Sequence, residues 1–208
     1  MSTLGYDLEH EDVELEGMRA SAPKQRYPRA DALEVARAVV AEIRPYCEEI
    51  KVCGSLRRMK EQVGDVEIVF IPKFQMVRVE GDLFAERWAD LVEMRLLGMI
   101  SGGLIEKRLS RTGVAAFGPK NKLVRHIASG IPVDLFATKR SAWWNYIVCR
   151  TGGAKNNVAI ASAAQANGWK WHPYDDGFRR GPFRHVVQSE RDVFDFVGLP
   201  YLDPCDRA

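Results

Sequence analysis

The sequence predicts an α+β fold: a mixed sheet flanked by helices, followed by a small, mostly helical lobe. Three observations predict it. Apolar residues recur at helical spacing in the first third and again in the last, alternating runs cluster between them, and no run of eighteen apolar residues interrupts the pattern. With 208 residues, 46% hydrophobic and 28% charged, the chain has material for one compact domain or two small lobes. That composition excludes a disordered tail protein, and the lack of a long apolar run predicts no membrane-spanning helix.

Residues 1–27 are acidic, then polar, without sustained apolar period, and are expected to form a loosely ordered arm. Six acids and no lysine or arginine in the first sixteen residues predict no secretory or mitochondrial leader. A helix follows: Pro28 stands near its start, Asp31 is placed to cap it, and Leu33, Ala36, Val39, Val40 and Ile43 recur until Pro45. Ile50 to Cys53 reads as a short strand ending in Gly54-Ser55, and Leu56 to Gln62 as one or two helical turns. Asp65 to Ile71 then alternates as a strand, with Val66, Ile68 and Phe70 on its apolar face.

Leu83, Trp88, Leu91, Val92 and Arg95 through Leu97 predict a second amphipathic helix closed by Gly98. Between Leu104 and Phe136 several strands are expected, joined by turns at Gly118-Pro119-Lys120-Asn121 and Ser129-Gly130. Helices are then expected over Ala142 to Cys149, Lys155 to Asn167, and Ser189 to Val197 with Ser189 as cap. Domain boundaries follow: the arm at 1–27, the mixed part at 28–139 and the C-terminal lobe at 140–208.

Cys47, Cys53, Cys149 and Cys205 lack the spacing of a zinc site or a disulfide frame, and the four histidines are equally scattered. A reduced, cytoplasmic compartment is expected. The charge distribution is more informative. Residues 1–102 carry 14 basic and 19 acidic residues, residues 103–191 carry 15 and 5, and residues 192–208 carry 1 and 4. The basic middle block suits a polyanion such as a nucleic acid, with a solvated basic surface as the alternative.

Chemistry concentrates around Gly54-Ser55-Leu56-Arg57-Arg58 and Gly64-Asp65-Val66-Glu67. Residues two apart on a strand share a face, so Asp65 and Glu67 set two carboxylates side by side, and their repulsion favours a cation between them. Magnesium takes few protein carboxylates and completes its shell with water and phosphate oxygens, which suits a set of acids without histidine. An acidic pair alone is most often a solvated face. Here a glycine turn offers backbone N–H groups and the Ser55 hydroxyl to an anion, and Arg58 adds a charged donor. Asp134 lies inside the apolar run Ile131 to Phe136, where a buried carboxylate needs a metal or an arginine beside it. Together these residues describe a triphosphate held beside its metal ions.

The string Val52-Cys53-Gly54-Ser55-Leu56-Arg57-Arg58 followed by Gly64-Asp65-Val66-Glu67 resembles the nucleotidyltransferase signature of the family X DNA polymerases. Pro28-Arg29 and the following helix resemble the family's entry into its palm, and Val133-Asp134-Leu135-Phe136 the strand bearing its third metal ligand. Thr151-Gly152-Gly153 with Asn157 is similar to its nucleotide-selecting motif. Glu190 to Phe196, Tyr201 to Pro204 and Arg207 resemble its closing helix and tail. The resemblance spans residues 28–208 and implies a nucleotidyltransferase palm followed by a small nucleotide-selection, thumb-like subdomain. It implies that Asp65, Glu67 and Asp134 bind two Mg2+ ions, with Mn2+ able to substitute, and that Asp134 takes the proton of the primer 3′-hydroxyl. It further implies that Gly54, Ser55, Arg58, Gly64, Arg150, Thr151, Gly152 and Asn157 contact the nucleoside triphosphate.

Departures from the family pattern refine the expectation. Glu67 stands where aspartate is usual, Cys149 and Arg150 where two aromatics usually exclude the ribose 2′-hydroxyl, and Ala161 where an arginine meets the template strand. Only 53 residues precede Gly54, which predicts no amino-terminal lyase domain, and hence a minimal, monomeric, distributive gap-filling or repair enzyme acting on a DNA primer-template. Arg179, Arg180 and Arg184 form an expected mobile basic loop for DNA, and Trp143, Trp144, Trp169 and Trp171 are expected mainly to pack. Two alternatives remain: a template-independent or ribonucleotide-tolerant nucleotidyltransferase, and a catalytically idle DNA-binding module.

Overall fold

The computed structural model describes residues 25–78, 86–109, 113 and 116–208. Most of the expected arm therefore lies outside the described residues; of its last members, Tyr27 already belongs to a strand. The elements begin with β1 (Tyr27–Pro28), α1 (Arg29–Ile43), β2 (Cys47–Val52), the single turn α2 (Gly54–Arg57), β3 (Gln62–Val63) and β4 (Val66–Pro72). A hairpin follows, β5 (Phe74–Arg78) and β6 (Glu86–Asp90), then α3 (Leu91–Ser101), β7 (Ile105–Lys107), β8 (Asn121–His126) and β9 (Pro132–Ala137). The C-terminal lobe holds α4 (Trp143–Thr151), α5 (Ala154–Ala166), β10 (Lys170–His172), β11 (Gly177–Arg180), β12 (Phe183–Val186) and α6 (Glu190–Val197).

The central sheet has the order β2-β4-β9-β8-β7 and is mixed, because β4 and β9 run parallel while the other neighbours are antiparallel. One face carries Val66, Ile68, Phe70, Val133 and Leu135 and is sealed by Val35, Ala36, Val39 and Ile43 of α1 and by Val92, Leu96 and Met99 of α3. This is the main core. The opposite face carries Val69, Ile71 and Phe136 and receives Trp143, Tyr146 and Ile147, so that α4 is clamped directly onto the sheet. β4 is thus buried on both faces along most of its length, a pattern expected of a strand with a parallel neighbour.

Two local expectations are corrected. Residues 86–90 are strand, not helix: β6 pairs with β5, placing Trp88 opposite Met76. The helix begins only after Asp90, whose side chain accepts from the backbone N–H groups of Val92 and Glu93, and it passes Gly98 to end at Ser101. Leu83 lies outside the described residues. In the C-terminal lobe the expected mobile loop is instead a tight hairpin of a three-stranded antiparallel sheet, with Gly181 at a φ of 55° in its turn. Strands of three or four residues are too short to announce themselves by alternation.

Candidate active site

The register of the sheet assembles the acids. In the parallel pair β4/β9, Glu67 stands directly opposite Asp134, so their side chains share the face that looks toward α4. Asp65 precedes β4 by one residue and acts on Glu67 electrostatically. Burial, and next the charge of Asp65, push the Glu67 carboxyl up to about 7; Asp134 adds to the rise, while Arg150 and Arg58 oppose it. The antiparallel pairing of β2 with β4 brings Val52 opposite Ile68 and the Cys53 N–H onto the Glu67 carbonyl at 2.8 Å. The chain leaving β2 must then pass the Glu67 side chain. Gly54 makes that possible: its φ is +61°, and a Cβ there would lie 1.9 Å from Glu67 Oε2.

The acids have guanidinium neighbours. Arg108, just past β7, donates to Asp134 from Nη2, and its own N–H donates to the Leu123 carbonyl of β8 at 2.9 Å. Arg150 of α4 comes within 3.9 Å of Glu67 Oε1, with its guanidinium centre 3.5 Å above the Phe136 ring. The donor set suits a hard divalent cation, being all carboxylate oxygen on adjoining strands. In the arrangement present, however, no group of three or more His, Cys, Asp or Glu side chains among the described residues is placed to hold a metal ion. The arginine partner expected as the alternative for Asp134 is present.

The other expected contacts divide into two sets. Arg58 donates from Nη1 to the Thr151 carbonyl at 2.6 Å, and Arg57 donates to Thr151 Oγ1 at 2.8 Å, so the turn after β2 is tied to the end of α4. Ser55 lies within the same turn, and Gly64 lies between β3 and β4. Asn157 donates to the Cys149 carbonyl at 2.9 Å, and a Cβ on Gly152 would come within 2.4 Å of Asn156 Nδ2, so the Thr151-Gly152 corner is packed against the start of α5. The basic trio is less available. Arg179 and Arg184 stand opposite each other on β11 and β12, with Asp176 facing both at 3.7 and 2.9 Å, and Arg180 lies over the Trp169 ring at 4.8 Å. Trp143 and Trp171 are buried; Trp171 donates to Asn145 Oδ1 at 2.6 Å. They pack, as expected.

Two features escape a reading of the sequence. One is Arg108. The other is a latch in which Glu190, at the start of α6, accepts from Arg57 Nη2 at 2.6 Å and Nη1 at 3.0 Å and from Arg207 Nη1 at 2.6 Å. Arg207 is fully buried, and its Nε also donates to the Leu202 carbonyl at 2.9 Å. Burial alone would raise the Glu190 carboxyl, but the hydrogen bonds from Arg57 and Arg207 outweigh it and hold the group below its ordinary range. No local signal betrays pairs separated by 133 and 17 residues in sequence.

A cleft of about 1050 Å3 lies between the sheet and the C-terminal lobe, lined among others by Phe74, Lys120, Lys139, Tyr146, Arg150 and Tyr174. None of the three acids lines it. Arg150 does, and it also comes within 3.9 Å of Glu67.

No helix among the described residues is long and apolar enough to cross a membrane. Residues 146–208 match the family model described as the DNA polymerase beta thumb. The match begins inside α4 and covers α5, the three-stranded sheet, α6 and the tail. It supports a family X-like polymerase at the level of that domain, and a thumb of this kind implies DNA binding.

Proposed function

We propose that the chain is a DNA-directed DNA polymerase that adds deoxynucleotides to a primer 3′-hydroxyl, distributively and as a monomer, at short gaps or in repair. The observation that carries this reading is the register that sets Glu67 opposite Asp134, on the face of the sheet covered by the helix in which the thumb match begins. In this reading residues 28–139 are the palm and residues 140–208 the nucleotide-selecting subdomain.

Asp65, Glu67 and Asp134 would hold two Mg2+ ions, with Mn2+ able to substitute. Bound there, the ions would supply charge neutralisation for the attacking oxygen and the departing pyrophosphate. The remaining roles belong to the chain. Asp134 accepts the proton of the primer hydroxyl. The Gly54-Ser55 turn, the Gly64 backbone and Arg58 hold the β- and γ-phosphates, and Thr151, Gly152 and Asn157 shape the seat of the sugar and base. Arg150 lies on the sugar side, and the DNA backbone is gripped by the basic block including Arg179, Arg180 and Arg184.

The test is extension of a gapped primer with deoxynucleotides and magnesium or manganese. Wild type extends it, and Asp134→Ala slows it by on the order of a thousandfold. Equal rates in the two proteins would refute the assignment. Arg150, in place of an aromatic residue beside the sugar, favours a second reading, a template-independent or ribonucleotide-tolerant transferase. Extension of a single strand, or with ribonucleotides at a rate matching deoxynucleotides on a primed template, selects that reading. No extension of any substrate leaves the idle DNA-binding module.

A further inference from the structure

We propose that Arg108 and Arg150 are resident counter-cations of the acidic cluster, so that a divalent cation enters it only by displacing their guanidinium groups. The inference rests on the reading of Asp65, Glu67 and Asp134 given above and adds a gate to it.

The geometry points to two different hinges for the two side chains. Arg108 is anchored by its backbone bond to Leu123, one strand away from β9, and reaches Asp134 with side chains on both partners less than a quarter exposed. Its approach is fixed by the sheet edge and its contact is made by the tip alone. Arg150 rises from the last turn of α4 and lies flat on Phe136, leaning toward Glu67. It also has a second place to go. The Tyr146 and Tyr174 rings stand 5.7 and 5.1 Å from the same guanidinium centre and line the large cleft, so the group can turn away from Glu67 and remain over aromatic faces.

Charge makes the displacement necessary. A divalent cation a few ångströms from a guanidinium group in a half-buried site is repelled strongly, whereas the same guanidinium beside a carboxylate is attracted. Both therefore compete for the same oxygens. The resting contacts are also incomplete: Nε of Arg108 and Nε of Arg150 are buried without a hydrogen-bond partner, a state that costs free energy and lowers the barrier to leaving.

The experiment is titration of the chain with Mn2+ alone, reading free Mn2+ by its electron paramagnetic resonance signal. Arg108→Ala and Arg150→Ala should each bind Mn2+ about tenfold more tightly than wild type, equivalent to about 1.4 kcal/mol. Arg108→Lys and Arg150→Lys, which keep the charge, should stay close to wild type. Arg125→Ala removes an exposed cation paired with Glu106 and should leave the affinity unchanged. Near-ultraviolet circular dichroism checks each fold, and since the two arginines sit on different elements, either alanine variant alone can carry the test.

Unchanged affinity in the folded alanine variants overturns the gate, as does an equal gain in Arg125→Ala, which would mark a bulk charge effect. Adding Asp134→Ala separates this failure from failure of the underlying reading. If Asp134→Ala weakens Mn2+ binding while the arginine variants do not strengthen it, the gate alone is wrong. If Asp134→Ala changes nothing either, the gate and the metal site fall together.

Discussion

In the latch, one carboxylate, Glu190, faces the guanidinium groups of Arg57 and Arg207; around Glu67, three carboxylates face Arg108, Arg150 and the more distant Arg58. The residue types are the same and the outcomes are opposite. At Glu190 two arginines outweigh burial and hold the proton off; at Glu67 burial and two neighbouring acids outweigh the arginines and push the carboxyl up to about 7. Burial acts upward at both; what differs is that Glu190 accepts hydrogen bonds from two arginines, whereas Glu67 has Asp65 and Asp134 beside it. The first region joins the turn after β2 to α6 and the tail through three guanidinium hydrogen bonds to Glu190, with Arg207 Nη2 buried and without a partner, so its role is to hold the lobes together. The second sets three acids close together, and their mutual repulsion is part of what raises the Glu67 carboxyl.

Removing one member from each region separates them most sharply. Glu190→Ala leaves the fully buried Arg207 and the shielded Arg57 without their carboxylate, and should lower stability by about 3–5 kcal/mol in a denaturant melt. A loss under about 1 kcal/mol would mean that the latch is an ordinary surface pair.

Next in size is Gly54→Ala. It places a methyl group against the Glu67 carboxylate and forces a side chain into a φ of +61°, costing about 1–2 kcal/mol and displacing Glu67. A variant as stable as wild type would show that the turn can relax freely.

The pH dependence of stability tests the latch in a third way. Glu190 has a folded pKa below its ordinary 4.5, so its contribution is fully present above that value and is lost as pH falls through the lower, folded value. Wild type should therefore lose more stability than Glu190→Gln between pH 6 and pH 3, measured by thermal melts. Parallel curves would remove Glu190 from the account.

The smallest change is expected at Glu67→Gln. Taking away a charge that Asp65 and Asp134 repel should leave stability within about 1 kcal/mol of wild type, or raise it. A loss as large as that of Glu190→Ala would make the two clusters equivalent.

Much of this was legible in one dimension. The helical period from Leu33 to Ile43, the run from Val66 to Ile71 and the Ser189 cap each reappear as α1, β4 and α6, because each is set by burial of a repeating face or by a cap a few residues away. The β5/β6 hairpin was not legible: Trp88 fits a helical stripe as well as a strand, and only its partner Met76, twelve residues earlier, chooses between them. Within the candidate site, Asp65 and Glu67 could be grouped from their spacing, and Asp134 from its improbable place in an apolar strand. The arginines could not, since nothing near Arg108 or Arg207 in the chain indicates which acid it meets.

By itself the sequence determined the residue types of the site, the alternation that turns Asp65 and Glu67 to one face, and the glycine at the one place where a side chain would strike Glu67. These depend on local geometry, which neighbours in the chain control. The tertiary structure alone decided that Glu67 stands across from Asp134, that Arg108 and Arg150 lean on them, and that Glu190 binds Arg57 to Arg207. Such pairings are fixed by strand register and by helix docking, where residues far apart in the chain compete for the same buried space and charge.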